Sequence, residues 1–220
     1  VEPTGIAELN EVTVSNASAA VLVKGNLSAT KVVFNDAYRA ISVVGGHATV
    51  NDFTANRMDY EALYVESGTL ALDTGLANEV AVGLANHGEA NLTDFTVREA
   101  GVGVQSQAGT LELHGLGLVN ASVGIATVSG AQTNISSVQG SGLALGLDLS
   151  DTDDFSLTNG QFFEGLFFYL RKGRNVRRRR LWGVIEDNRV HPGTPGDGLC
   201  SCRRGGHGHD SSIGDHASPT

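Results

Sequence analysis

The densest group of side chains that could do chemistry in this sequence is acidic. Asp148, Asp151, Asp153 and Asp154 fall close together in one short stretch. Clustered carboxylate oxygens are the ligands that Ca²⁺ prefers in proteins. Acidic side chains in a loop between strands are also commonly left in water, and we favour that interpretation. The sequence therefore predicts a solvated acidic loop here.

The C-terminal part of the chain holds the ligand types of a zinc site. Cys200 and Cys202 are followed by His207 and His209. Structural zinc sites usually place two residues between paired cysteines, and strands or helices present the ligands. Neither condition holds here, so we expect no metal and no cofactor.

Four consecutive arginines, Arg177–Arg180, form the strongest basic run of the chain. Nucleic-acid interfaces usually combine such cations with aromatic side chains that stack on bases. Trp182 is the one aromatic residue beside this run. We therefore expect no nucleic-acid partner.

Several asparagines also lie in Asn-x-Ser/Thr triplets, which accept N-linked glycans in secreted eukaryotic proteins. Asn, Ser and Thr are equally ordinary in turns, so both interpretations stay open. The triplets begin at Asn16, Asn26, Asn91, Asn120 and Asn134.

An internal repeat supplies the elements that must position these residues. A small residue followed by apolar-x-apolar recurs every roughly 21 residues, a period typical of repeat architectures, and a glycine closes most units. The copies begin at Ala20, Ala40, Ala62, Ala81, Gly101, Gly124, Gly142 and Gly165. The closing glycines are Gly25, Gly46, Gly68, Gly88, Gly109 and Gly130.

Each unit holds about three alternating runs separated by turn-forming residues, and alternation of apolar and polar residues indicates strands. The sequence predicts an all-β fold, a right-handed parallel β-helix solenoid. It would have about eight coils of roughly 21 residues over residues 1–170, stacked about 4.8 Å apart. The alternatives are a leucine-rich repeat and an antiparallel β-sandwich. The first is disfavoured because an alternating run stands where its helix would be.

Three histidines, His47, His87 and His114, lie within the repeats. His47 and His87 flank closing glycines, so we expect both at turns. They are two coils apart, roughly 10 Å along the axis, which is too far for one metal ion. We predict surface histidines and no metal site.

The repeat pattern over about residues 5–170 resembles the right-handed parallel β-helix, or pectin-lyase-like, superfamily. Polygalacturonases of this fold carry a Gly-His-Gly motif, which Gly206-His207-Gly208 resembles, and an Asp pair that Asp153-Asp154 could imitate. Here the histidine lies beyond the repeats, and the Arg-Ile-Lys that follows it in that family is missing. Paired carboxylates cleave glycosides only at a fixed separation, so we predict no glycosidase site.

Calcium-dependent pectate lyases also share this fold and need a basic residue above the metal. The nearest basic residue before the acidic cluster is Arg98, more than two coils away. The resemblance therefore implies no lyase site, and the sequence identifies no catalytic or ligand-binding residue.

The charge changes sign along the chain. Residues 1–160 carry 18 acidic and 5 basic residues, a net charge of −13, whereas residues 161–220 carry 6 acidic and 10 basic residues, or +4. An enzyme that cleaves polyanions needs cations to hold its substrate. The acidic repeats disfavour that class of enzyme.

The alternation stops near residue 170. Residues 171–220 lack the apolar residues that offset chain entropy. We predict a basic, Gly-, Arg- and His-rich tail that is disordered or arises from a frameshift.

We expect a non-catalytic scaffold, extracellular or on a cell surface, that binds polysaccharide or a surface protein. The alternative is a fragment of a polysaccharide lyase or glycoside hydrolase whose active-site coils are missing. No run of apolar residues is long enough to span a membrane, and Val1-Glu2-Pro3 does not begin a signal peptide. Uncapped end coils would favour self-association.

Overall fold

A computed structural model of the chain describes residues 1–128, 130–150, 154–163, 166–171, 184–186 and 189–191. Every regular element in these residues is a β-strand, as the alternating pattern predicts. The strands are β1 Ile6–Asn10, β2 Thr13–Ser15, β3 Val21–Val23, β4 Asn26–Ala37, β5 Ile41–Asn86, β6 Glu89–Ser106, β7 Gly109–Thr127, β8 Ala131–Ser141, β9 Leu145–Ser150, β10 Asp154–Phe163, β11 Leu166–Arg171, β12 Val184–Glu186 and β13 Arg189–His191.

Neighbouring strands pair in parallel between residues one repeat apart in the sequence. Phe95, for example, pairs with Leu116, which in turn pairs with Val138. Within the described residues only β13 pairs antiparallel, with β10 and β12. The chain is therefore a parallel β-solenoid, and the antiparallel sandwich and the leucine-rich repeat are both wrong.

Each coil turns at three corners. At corner A and corner B one residue per coil has a φ between 50° and 78°, and at corner C glycines have φ between 66° and 90°. Corner A comprises Glu11, Lys31, Asp52, Thr74, Asp94, Gly115, Ser137 and Asn159. Corner B comprises Asn16, Asp36, Arg57, Glu79, Glu99, Asn120 and Gly142. Corner C includes Gly45, Gly68, Gly109 and Gly130.

These corners give both the number of strands per coil and the number of coils. In the first coil Glu11 separates β1 from β2, and Asn16 separates β2 from β3. The eight corner A residues enclose seven intervals of nearly equal length. The solenoid thus has about seven turns, fewer than the predicted eight, because eight copies of a repeat bound seven complete turns.

The core is a set of columns that run along the inside of the solenoid. Side chains alternate inward and outward along each strand, and inward residues such as Phe34, Phe53 and Phe95 are fully buried. The rings of Phe34 and Phe53 lie 5.9 Å apart. Because each inward side chain packs on the neighbouring coil, a single coil cannot bury its own apolar face.

The closing glycines are confirmed as one column at corner C from Gly25 to Gly109, whereas Gly130 lies outside it because Gly109 pairs with Ala131. A Cβ atom on Gly46 would collide with the carbonyl oxygen of Gly25, and one on Gly68 would collide with that of Gly46. Only glycine permits this approach of one coil's backbone to the next.

Three alignments within the repeat are wrong by two or four positions, those of the copy at Gly101 with Gly124, of Gly124 with Gly142 and of Gly142 with Gly165. The sequence pattern matched Gly101 with Gly124 and therefore Val102 with Ile125, whereas the structure pairs Val102 with Val123. Side chains alternate with a period of two, so a slip of two or four positions leaves the same side chains inward. Hydrophobic pattern alone cannot detect such a slip.

β11 ends at Arg171, and residues 172–183 lie outside the described residues, so the boundary near residue 170 stays a prediction. The predicted tail, residues 171–220, lies outside the described residues except for Arg171, β12 and β13. In the described part of the chain, no helix has the length and hydrophobicity that a membrane crossing requires.

Candidate binding surface

Three of the four tyrosines of the chain lie together on the outside of the solenoid. We define the tyrosine patch as Tyr38, Arg39, Tyr60, Glu61 and Tyr64. Tyr38 and Tyr60 each follow corner B, in consecutive coils, and the Tyr60 N–H donates to the Tyr38 carbonyl oxygen at 3.0 Å. The repeat therefore places residues that are one full coil apart in the sequence directly beside each other.

The rings of Tyr38 and Tyr60 are stacked. Their centroids are 5.4 Å apart and their planes differ by 5°. Tyr38 is 46% exposed and Tyr60 43%. Two phenol rings in one orientation thus form an apolar surface with hydroxyl tips that spans two coils.

A partly buried ion pair between Arg39 and Glu61 lies beside this stack. The Arg39 Nε donates to Glu61, and its Nη2 donates to Glu61 Oε1 at 3.4 Å. The guanidinium carbon lies 4.3 Å from the Tyr64 centroid and 5.5 Å from those of Tyr38 and Tyr60. Cation–π attraction and a charge-assisted hydrogen bond together hold the three rings.

The environment of the patch shifts the pKa of two of its groups. Partial burial acts to lower the Arg39 pKa, but the hydrogen bond and charge of Glu61 outweigh it and raise that pKa. Burial raises the pKa of Tyr64, and the charge of Glu66 adds to the rise. Arg39 therefore stays charged, and Tyr64 stays a neutral phenol that can donate a hydrogen bond.

The charges around the patch are mostly negative. Arg57, at corner B, binds Asp36 with both ends of its guanidinium at 2.6 and 2.9 Å, which lowers the Asp36 pKa. Asp59 and Glu66 are exposed, and neither is in an ion pair within the described residues. Both cations beside the patch are thus neutralised, and carboxylates remain at its edge.

A second surface is a shallow polar groove between corners A and B in later coils. It has a volume of about 470 Å³, and Gly115 and Gly117, which carry no side chain, are among the residues that line it. Its side chains bear carboxyl, hydroxyl and amide groups: Asp94, Thr96, Ser137, Gln139, Asn159 and Gln161. The groove can form hydrogen bonds, but it offers no aromatic ring and no paired carboxylate among the described residues that line it.

The three histidines are not brought together. His47 and His114 are exposed, and each lies within hydrogen-bond distance of a hydroxyl, Thr49 Oγ1 at 3.3 Å and Ser136 Oγ at 2.7 Å. His87 is half-buried against Tyr64, with ring centroids 5.8 Å apart. Across the described residues, no three His, Cys, Asp or Glu side chains are grouped so that they could hold a metal ion.

Most of the other candidates lie outside the described residues. This applies to Asp151 and Asp153, Arg177–Arg180 and Trp182, Cys200 and Cys202, and Gly206-His207-Gly208 with His209. Asp148 is half-buried and accepts a hydrogen bond from Ser150 Oγ at 3.1 Å. Asp154 begins β10.

The five asparagines of the Asn-x-Ser/Thr triplets are all exposed. Asn16 and Asn120 stand at corner B, and the others are on outward faces of strands. Their positions fit both a turn or surface role and glycan attachment.

The hydrophobic repeat pattern does not predict the tyrosine patch. A signal was available, because Tyr38-Arg39 and Tyr60-Glu61 occupy one repeat position in consecutive units. Two tyrosines one repeat apart predict a stacked pair. Because the residue after one tyrosine is basic and the residue after the other is acidic, they also predict an ion pair beside the stack. The apolar pattern alone does not predict the patch, because in that pattern a tyrosine indicates only a strand.

Comparison of the chain with protein-family models, curated proteins and solved structures found no match.

Proposed function

We propose that this chain is a non-catalytic β-solenoid scaffold, extracellular or on a cell surface, that binds carbohydrate or protein through the tyrosine patch. One observation carries the proposal: two half-exposed tyrosine rings are stacked in one orientation beside a partly buried ion pair. Tyrosine and arginine dominate binding energy at interfaces, and pre-ordered side chains lose little entropy on binding.

The regularity of the scaffold supports a binding role. Successive corner A residues from Glu11 to Asn159 are separated by intervals of nearly equal length, so these coils carry no long loop insertion. Catalytic sites are commonly built on such loops. The similarity of the repeat pattern to the pectin-lyase-like superfamily supports a carbohydrate as the ligand.

Binding assays on the whole chain test this proposal. Wild type and a Tyr38→Ala/Tyr60→Ala variant would be applied to insoluble polysaccharides and to immobilised surface proteins. A Gln139→Ala/Gln161→Ala variant in the polar groove is the control. We expect the tyrosine variant to lose retention and the groove variant to keep it.

The same samples would be assayed for released sugars. Retention that survives loss of both tyrosines contradicts the proposal. Polysaccharide turnover that disappears in an Asp94→Asn variant would instead support a hydrolase or lyase fragment.

A further inference from the structure

We infer that the tyrosine patch recognises an uncharged polysaccharide, not an acidic polysaccharide or a basic protein segment. This inference rests on the proposed function, because it names the ligand class of the same surface.

The centre of the patch presents no unpaired charge among the residues that define it. Glu61 is 4% exposed and is bound by Arg39. Arg39 in turn has its guanidinium against three rings. Glu61 is too buried to pair with a ligand, and its negative charge already offsets the positive charge of Arg39. The ring surface therefore behaves as neutral towards a ligand.

The edge of the patch disfavours anions. The second local cation, Arg57, is held by Asp36 through two hydrogen bonds. Asp59 and Glu66 are exposed on either side of Tyr60 and Tyr64 in the sequence. Carboxylates without a competing cation repel uronate and sulfate groups, so acidic polysaccharides are excluded.

These edge carboxylates do not build a site for a basic segment either. Both are solvent-exposed, and exposed ion pairs contribute little to affinity. The buried carboxylate of the patch, Glu61, is already paired. A Lys- or Arg-rich partner would gain only weak, salt-sensitive contacts.

The rings match the surface of a sugar. Because Tyr38 and Tyr60 stack on each other, the ring faces between them are covered, and a pyranose packs its apolar C–H groups against the part of the pair that stays exposed. The phenol hydroxyls of Tyr38 and Tyr60 can exchange hydrogen bonds with sugar hydroxyls. The stacked rings span two coils, about 4.8 Å apart, so successive units of an extended chain can contact both.

A polymer is favoured over a single sugar because the patch is on the outside of the solenoid. Compact ligands are held in concave pockets that bury most of their surface, whereas both rings of the stack are more than two fifths exposed. Repeated weak contacts along one chain raise its overall affinity.

The experiment compares three ligand classes against the folded, full-length chain. Neutral probes are β-glucan, xylan and galactomannan, acidic probes are polygalacturonate, alginate and heparin, and the basic probe is poly-L-lysine. Affinity would be measured by calorimetry for wild type, Tyr38→Ala/Tyr60→Ala, Tyr38→Phe/Tyr60→Phe and the groove control Gln139→Ala/Gln161→Ala.

We expect at least one neutral polysaccharide to bind, with affinity that changes little between low and high salt. The alanine variant should lose on the order of tenfold or more, the phenylalanine variant less, and the groove control nothing. Thermal unfolding of each variant shows whether it is folded.

A Glu61→Gln variant tests whether the ion pair positions the rings. If it does, this variant weakens binding of the neutral polysaccharide while Asp59→Asn, at the edge, leaves it unchanged. Equal effects of the two substitutions would contradict the positioning role.

The outcomes separate the inference from the proposed function. Patch-dependent binding to an acidic probe or to poly-L-lysine alone overturns the inference and leaves a binding scaffold. If no probe or surface protein binds in a patch-dependent way, both are overturned.

Discussion

Arg39 and Glu61 form an ion pair in which the two side chains differ in exposure. Replacing one partner should therefore lower the free energy of unfolding by a different amount than replacing the other. The side chain of Arg39 is 28% exposed and that of Glu61 only 6%. Removing arginine leaves a buried carboxylate without a partner, whereas replacing the glutamate leaves a guanidinium with access to water. Unpaired charge is the more costly the deeper it is buried.

We therefore expect Arg39→Ala to lower the free energy of unfolding by about 3 kcal/mol and Glu61→Gln by about 2 kcal/mol. The double variant Arg39→Met/Glu61→Met should recover part of the loss. Urea denaturation of the three variants measures this. Additive losses in the double variant would show that the two side chains do not act as a pair.

Asn86 is a buried polar residue that we expect to contribute to stability. Asn86 is fully buried, and its Nδ2 donates to the carbonyl oxygens of Thr110, Gly88 and Ala108 at 3.1, 3.3 and 3.4 Å. Ser106, its partner in the next coil, is equally buried, but its Oγ has no hydrogen-bond partner within the described residues. The Oδ1 of Asn86 also has no hydrogen-bond partner within the described residues, so Asn86 differs from Ser106 in the hydrogen bonds that its Nδ2 donates.

Asn86→Ala should destabilise the protein by about 1–2 kcal/mol, because it removes the amide hydrogen bonds to the carbonyl oxygens of Thr110 and Ala108, whereas the Gly88 carbonyl oxygen keeps the Thr110 N–H. Ser106→Ala should change stability by no more than about 0.5 kcal/mol or increase it, because it removes a buried hydroxyl without a partner. Paired denaturant titrations check this. Equal losses in the two variants would contradict the role of Asn86.

At the scale of single residues, few side-chain contacts could be predicted from the sequence. The surface placement of His47 was predictable from the closing glycine beside it, whereas His87, beside another closing glycine, is half-buried. The contacts of Asn86 and the stack of Tyr38 on Tyr60 were not predictable, because they join residues a full coil apart in the sequence. Such contacts depend on the register between coils, which shifts slightly from one interval to the next.

At the scale of elements, two glycines at corner C distinguish backbone strain at positive φ from steric collision of a Cβ atom with the neighbouring coil. Gly68 and Gly130 both have a φ of +89°. A Cβ atom on Gly68 would collide with the backbone of Gly46, whereas one on Gly130 would have no heavy atom within 4 Å. Backbone strain is therefore common to both positions, and steric collision is confined to one.

Gly130→Ala should cost about 1–2 kcal/mol, the strain of a left-handed backbone with a side chain. Gly68→Ala should cost about 1–3 kcal/mol more, because coils would have to move apart. Thermal and urea unfolding of the two variants give the difference. Equal costs would show that the coils at Gly68 can separate freely.

Corner B also carries a pH-dependent contact. The hydrogen bond and charge of Arg57 lower the Asp36 pKa, below the usual value of about 3.9. The stabilisation is therefore complete above about pH 4 and is lost as the pH falls through the lowered pKa. The pair is exposed, so the effect is small.

Asp36→Asn should therefore reduce the fall in stability between neutral and acidic pH. Asp59→Asn is the matched control, because the described residues place no ion pair at Asp59. Unfolding midpoints measured across this pH range test it. An unchanged slope in Asp36→Asn, or an equal change in Asp59→Asn, would contradict the contact.

The elements themselves were largely predictable. Alternation of apolar and polar residues located the strands, and the glycine column located corner C. The positive-φ residues of corners A and B were not predictable, because Glu, Lys, Thr and Arg occupy them beside the more usual Asn and Asp. The coil imposes this conformation against local preference.

At the scale of the molecule, the solenoid is a one-dimensional structure. Each coil contacts its neighbours, so stability accumulates along the axis instead of around one central core. The parallel β-solenoid followed from the repeat and is confirmed. Its right-handed coil, its extracellular placement and the boundary of the tail stay predictions, because the pattern of a repeat does not fix partners or location.

The central claim for the whole molecule is that ligand binds on the side of the solenoid, at the tyrosine patch. Hydroxyl-radical footprinting with mass spectrometry tests it most directly, since it measures the accessibility of individual side chains. With saturating β-glucan, xylan or galactomannan, we predict that oxidation of Tyr38 and Tyr60 falls while that of His114, exposed in a later coil, is unchanged. A bound polysaccharide that leaves Tyr38 and Tyr60 fully reactive would contradict the claim.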